Sequence, residues 1–115
     1  MLGMQGEQAA AAYLKAHGYE LLEQNYRLRT GEIDIIAKKK DRISFIEVKT
    51  RCDNRCGLPS EAVNLPKQKK IIGTAYCYMQ SKHLADISCS FDVIEVYPKN
   101  GEKWEIRHLK DAFET

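Results

Sequence analysis

Apolar positions along this chain follow two periods. In MQGEQAAAAYLKAHGY, from Met4 to Tyr19, Ala10, Tyr13, Leu14 and His17 recur at helical spacing. Ala is abundant and Gly18 offers a left-handed stop, so the segment predicts a helix whose first turn holds Glu7. An acid there complements the helix dipole. YELLEQNYRL follows as a short strand, and after Gly31 the stretch IDIIAKKKDRISFIEVKTR reads as a β-hairpin turning near Lys40-Asp41. Ile35 and Ile36 are both apolar, as are Phe45 and Ile46, so both faces of these strands are covered and they belong in the middle of a sheet. Beyond the polar loop RCDNRCGLPSEA, Asn64 caps a second helix, Pro66 fits its opening turn, and Gly73 weakens it. Ile71, Ile72, Ala75, Tyr76 and Met79 are its expected apolar stripe. SCSFDVIEVYP and WEIRHLK read as two more strands, with a turn at Lys99-Asn100-Gly101. The order α, β, β-hairpin, α, β, β predicts an α/β fold: one domain over residues 1–115, a mixed sheet of five strands flanked by helices.

The hairpin register carries the chemistry. Residues paired across an antiparallel ladder share a face, so a turn centred on Lys40-Asp41 sets Asp34 opposite Glu47. Lys49 lies on that face one step along, at roughly 7 Å by strand rise. Two opposed carboxylates in apolar casing, IDII against FIEV, repel each other and call for compensation. A hard divalent cation supplies it: carboxylate oxygens suit Mg²⁺ or Mn²⁺, and without His or thiolate they do not suit zinc. Such an ion activates water and neutralises charge on a phosphoryl group, with Lys49 placed to hold or deprotonate that water. The plain alternative is a salt-bridged strand pair of Asp34, Glu47 and Lys49 at an exposed sheet edge.

The chain has 115 residues, of which 43% are hydrophobic and 30% charged, which fits one globular domain rather than a disordered tail. A signal-like N-terminus and a membrane-length apolar run are both missing, so a cytoplasmic protein that does not enter a membrane is expected. Cys52, Cys56, Cys77 and Cys89 lack finger-like spacing and read as reduced thiols. The net charge is only +2, but basic residues bunch at Lys38-Lys39-Lys40, at Lys49, Arg51 and Arg55, and at Lys67, Lys69 and Lys70. The loop from Arg51 to Pro59 leaves the strand just after Lys49 and is expected to overhang the site. Arg51, Arg55, Lys67, Lys69 and Lys70 are therefore the expected nucleic-acid contacts, made to phosphates without reading sequence. Tyr26, Trp104 and the tyrosines of the second helix are candidates for base stacking, with core packing the simpler account.

GEIDIIAKKKDRISFIEVKTR, with GEQAAAAYLKAHGYELLEQNYR before it and IRHLKDAF at the end, resembles the YraN family of small bacterial proteins over nearly the whole chain. That family is related to the PD-(D/E)xK nuclease superfamily and to archaeal-type Holliday junction resolvases, which implies a restriction-endonuclease-like fold. Position by position, the resemblance implies Asp34 as metal-binding aspartate, Glu47 as second acidic ligand, Lys49 as the superfamily lysine and Glu7 as the first-helix glutamate beside the metal. Gln68 answers to a polar residue that some relatives carry on the next helix, with an exposed helix position as its alternative. EID stands where the superfamily often has Pro-Asp, so the turn entering the strand differs. The resemblance also implies a homodimer, because a junction has two strands to cut symmetrically. The leading expectation is a Mg²⁺-dependent endonuclease, a phosphodiesterase acting on branched or structured DNA. The alternatives are a nucleic-acid-binding module without turnover and a subunit that needs a partner.

Overall fold

The β-branched and aromatic runs do form five strands. The computed structural model describes residues 2–50, 64–84, 86–98 and 104–113. In chain order the elements are α1 (Leu2–Ala16), β1 (Glu20–Leu28), β2 (Gly31–Lys39), β3 (Arg42–Thr50), α2 (Leu65–Ser81), β4 (Ser88–Pro98) and β5 (Trp104–Phe113). The strands lie side by side in that same order. Every neighbouring pair is antiparallel except β3 and β4, whose parallel pairing requires the long connection that carries α2. This is an α/β fold, a mixed five-stranded sheet with a helix on each face, consistent with a restriction-endonuclease-like fold.

The central strand β3 has the covered faces that its sequence predicts. Ile46 packs under Ala10 and Leu14 of α1, whereas Ile43 and Phe45 pack under Ile71, Ala75 and Tyr78 of α2. Among the described residues no helix is long and apolar enough to cross a membrane. The turn proposed at Asn100-Gly101 lies outside the described residues.

α1 ends as expected. Gly18 takes φ 87°, the Tyr19 N–H reaches back to the Leu14 carbonyl at 2.9 Å and the Gly18 N–H to that of Lys15 at 3.2 Å, the paired bonds of a Schellman stop. Its start differs. The helix begins at Leu2 and has no acid in its first turn, so Glu7 lies in the second turn, past the free N–H groups where the dipole is concentrated. The dipole account of Glu7 therefore falls. Gly6 instead marks a close approach: a Cβ there would run into Thr50 Oγ1 and lie 2.9 Å from Val96 Cγ2. That contact holds the N-terminal part of α1 against the last residue of β3.

α2 is capped by Asn64, whose Oδ1 accepts the Lys67 N–H at 3.0 Å, and Pro66 sits in its first turn. Its buried stripe is Ile71, Thr74, Ala75, Tyr78 and Met79, while Tyr76 is 65% exposed. The expected stripe was rotated because Thr74 reads as polar. Its hydroxyl is satisfied internally, donating to the Lys70 carbonyl at 2.9 Å and lying 2.7 Å from Thr30 Oγ1. This link fastens α2 to the chain just before β2.

Edge strand β5 is held by a buried polar chain. Asp92, 1% exposed, places Oδ2 2.8 Å from His108 Nε2 and accepts the Asp111 N–H on Oδ1 at 3.0 Å. His108 Nδ1 lies 3.2 Å from the Tyr13 hydroxyl of α1. Asp92 thus orients His108. Removing Asp92 strands the buried His108 ring and the Asp111 N–H, so Asp92→Ala should lower stability in urea unfolding by about 3 kcal/mol. Arg27→Ala, which breaks the exposed Arg27–Glu32 pair, should lower it by less than about 1 kcal/mol. Equal losses would show that the Asp92 chain does not hold the edge.

Candidate metal and phosphate site

The hairpin turns through two residues, Lys40 and Asp41, with Lys39 paired to Arg42, and the pairs run on to Ile35↔Ile46. The next step of that register sets Asp34 against Glu47, as the sequence predicts. A two-residue turn makes its flanking pair hydrogen-bonded, and alternation from there makes Asp34 and Glu47 a non-hydrogen-bonded pair, where facing side chains come closest. The ladder then changes. The Val48 N–H donates to Asp34 Oδ2 at 2.8 Å, so a carboxylate takes the place of a strand carbonyl. β2 remains paired to β1 down to Gly31, and β3 to β4 up to Thr50. The sheet is thereby opened between β2 and β3 at the two acids.

Their charges are not equivalent. Burial pushes the Asp34 carboxyl up to about 8, helped by its hydrogen bond to Glu47, the charge of Glu47 and, more weakly, that of Glu7. Asp34 therefore holds the proton of the pair. Burial also opposes ionisation of Glu47, but the hydrogen bond from Asp34, the close approach of Lys67 and the charge of Lys49 outweigh it and keep Glu47 below its ordinary range. Lys67 Nζ is 2.8 Å from Glu47 Oε2. It approaches off the direction of a hydrogen bond, and Oε2, fully buried, has no hydrogen-bond partner among the described residues. Burial, followed by the charge of Lys67, depresses Lys49, while Glu47 raises Lys67 against the effect of its own burial.

The acids face a cleft of about 530 Å³ lined by Glu32, Asn64, Pro66, Lys67, Lys70 and their neighbours. Asp34, Glu47 and Lys49 are thus brought together, and Glu7 is near enough to act on Asp34 through its charge. Lys70 lines the cleft and Lys67 enters it, whereas Lys69 is exposed and Gln68 half-buried on α2, neither among the lining residues. Arg51 and Arg55, the loop to Pro59, Cys52 and Cys56 lie outside the described residues. Cys77 and Cys89 are free thiols. Lys39 and Lys40 are at the hairpin turn, the other end of β2, where they line a different cavity. Tyr26 packs edge-on against Tyr78 at 5.2 Å and Trp104 packs on the α1 cluster, which favours core roles for both.

The edge salt bridge offered as the plain alternative does not describe this site. β3 is the middle strand, Glu47 is 7% exposed, and its ion-pair partner is Lys67 of α2. The sequence did hold a signal for that pair. Lys67 occupies the first turn of a helix with no acid there, a position the dipole makes unfavourable for a cation unless an acid faces it.

Comparison with known sequences adds the relationship. The profile of the family described as "Uncharacterised protein family UPF0102" matches residues 6–96. A UPF0102 protein of Chlorobium phaeobacteroides is 50% identical over 120 residues, covering 100% of this chain and 94% of its own length. The chain belongs to the UPF0102 family. Another UPF0102 protein, of Clostridium acetobutylicum, is 46% identical over 97% of this chain and 93% of its own. One of Syntrophus aciditrophicus is 50% identical over 97% and 87%. The UPF0102 match includes Glu7, Asp34, Glu47, Lys49 and Lys67.

The donor set fits a hard cation. Among the described residues no group of three or more His, Cys, Asp or Glu side chains is gathered as a metal cage. Mg²⁺ does not require one, since it binds through one or two carboxylates and keeps waters or phosphate oxygens on its other positions. Glu47 Oε2 is a buried anionic acceptor with no hydrogen bond among the described residues, which is the kind of atom such an ion satisfies.

An acid raised by folding binds its proton more tightly when folded, so its stabilising effect is complete below about pH 4, its unfolded range. That effect is lost as pH rises through about 8. Without divalent ions, stability should fall between pH 5 and 8 by at most about 1.4 kcal/mol per pH unit, and Asp34→Asn should flatten the profile. Urea titrations across that range check this; parallel profiles for the two proteins would refute it.

Proposed function

We propose that the protein is a Mg²⁺- or Mn²⁺-dependent endonuclease, cleaving phosphodiester bonds in DNA with branched or structured DNA as its substrate class. The observation that carries this reading is the face-to-face Asp34 and Glu47, with Lys49 and Lys67 interacting with them and an open cleft in front. Resemblance to the YraN family, and through it to the PD-(D/E)xK superfamily, supports the same assignment. So does the α/β fold.

Asp34 and Glu47 would hold the ion, Asp34 giving up its proton to do so. Bound there, the ion would supply Lewis acidity to water and to the phosphoryl oxygens. Lys49, depressed by burial, is suited to accept a proton from the attacking water or to offset charge on the phosphate. Glu7 adds negative charge on the α1 side and helps draw the cation in. Lys70 at the lip of the cleft would bind backbone phosphates, and Lys69, Arg51 and Arg55 are proposed as further phosphate contacts. A homodimer accompanies this reading through the resemblance, and a cytoplasmic location is proposed with it.

A second reading is a nucleic-acid-binding module without turnover, or a subunit completed by a partner. The Lys67 ion pair on Glu47 favours it, since a lysine can neutralise the acid permanently.

Linear, flapped and four-way DNA incubated with the protein in Mg²⁺ or Mn²⁺ separate these readings. Cleavage should appear and should fall at least about a hundredfold in Glu47→Ala and in Lys49→Ala. Absence of cutting on every substrate, or undiminished cutting by both variants, defeats the endonuclease. Binding that weakens steeply with salt but never cuts would favour the binding module.

A further inference from the structure

We propose that Lys67 is a tethered counter-ion that competes with the divalent cation for Glu47, so that the ion must displace the lysine to bind. This rests on the reading of Asp34 and Glu47 as a cation site.

Four observations carry it. Lys67 Nζ lies 2.8 Å from Glu47 Oε2, within the space an ion held by that oxygen would need. Two cations cannot both occupy that position without strong repulsion. The contact is also off the hydrogen-bonding direction, leaving Oε2 buried with its acceptor capacity unused among the described residues. The lysine neutralises the acid at poor hydrogen-bonding geometry, which a ligated metal would improve on.

The partners differ in freedom. The Glu47 side chain is 8% exposed and fixed on the central strand, while the Lys67 side chain is 42% exposed on the rim of the cleft. The lysine can swing out to water along a flexible stem, which the short acid on the strand cannot do. Its backbone meanwhile stays anchored by the Asn64 cap. Finally, Lys67 is placed where its helix start disfavours a cation. Glu47 is what holds it. A divalent ion that neutralises Glu47 removes that hold, and Lys67 is then released toward the cleft beside Lys70.

If Lys67 instead served to orient Glu47 for the ion, its removal would weaken ion binding. Competition predicts the reverse. Mn²⁺ titrations followed by electron paramagnetic resonance, on the whole protein without nucleic acid, decide between them. Lys67→Ala and Lys67→Gln should each bind Mn²⁺ about tenfold more tightly than wild type. Lys70→Ala, which removes the same charge from the same cleft without touching Glu47, should change affinity by less than about threefold. Thermal melting identifies any variant that fails to fold, and having two Lys67 variants keeps the comparison available. Equal or weaker Mn²⁺ binding by the folded Lys67 variants overturns the proposal. So does an equal gain in Lys70→Ala, because the effect would then be a general field. Should wild type and every variant bind no Mn²⁺, the cation site itself fails and this proposal with it. Should wild type bind and the Lys67 variants not improve, only the counter-ion role is lost.

Discussion

Two carboxylates are forced to face one another at the point where the β2–β3 ladder gives way, and most of the local structure answers that repulsion. The register is fixed far away, by the two-residue turn at Lys40-Asp41, so neither acid can rotate to the other face without shifting the entire hydrophobic set of both strands. Like charges held this way are unfavourable unless one is neutralised. Here a proton on Asp34 and the ammonium of Lys67 on Glu47 provide the neutralisation, and the Val48 N–H binds the Asp34 oxygen left over. A cation was the expected remedy; the protein supplies its own.

That remedy needs α2 in the right place. The Thr30–Thr74 contact ties the helix to the entrance of β2, and Ile71, Ala75 and Tyr78 seat it on Phe45 and its neighbours. The Asn64 cap fixes where the first turn begins. Together these set Lys67 over Glu47. On the opposite face α1 approaches so closely at Gly6 that Glu7 falls within electrostatic range of Asp34. The acids are served from both layers, although each layer is built from ordinary apolar packing.

A second polar cluster shows by contrast what makes the first one a site. Asp92 is buried in the core, but His108 and the Asp111 N–H engage both of its oxygens, and Tyr13 continues the chain. With both carboxylate oxygens hydrogen-bonded, the network serves to pin an edge strand. Glu47 keeps an oxygen without a hydrogen bond among the described residues, its neighbours have shifted proton affinities, and it opens on a cleft. Incomplete satisfaction of a buried acid is unfavourable for stability and useful for binding.

The amino-acid pattern alone specified the order of elements, the burial of both faces of β2 and β3, the caps at Gly18 and Asn64, and the opposition of Asp34 and Glu47, because turn length and period-two alternation are local properties. Local pattern placed Glu7 in the wrong helical turn and turned α2 by one position, since the helix runs back to Leu2 and Thr74 hides a buried stripe. Tertiary structure decided which acid keeps the proton and which lysine meets Glu47. It also made His108 the partner of Asp92 and sent Lys38–Lys40 to the far end of the strands. Those outcomes depend on desolvation and on distances between segments remote in sequence, and neither exists until the helices close over the sheet.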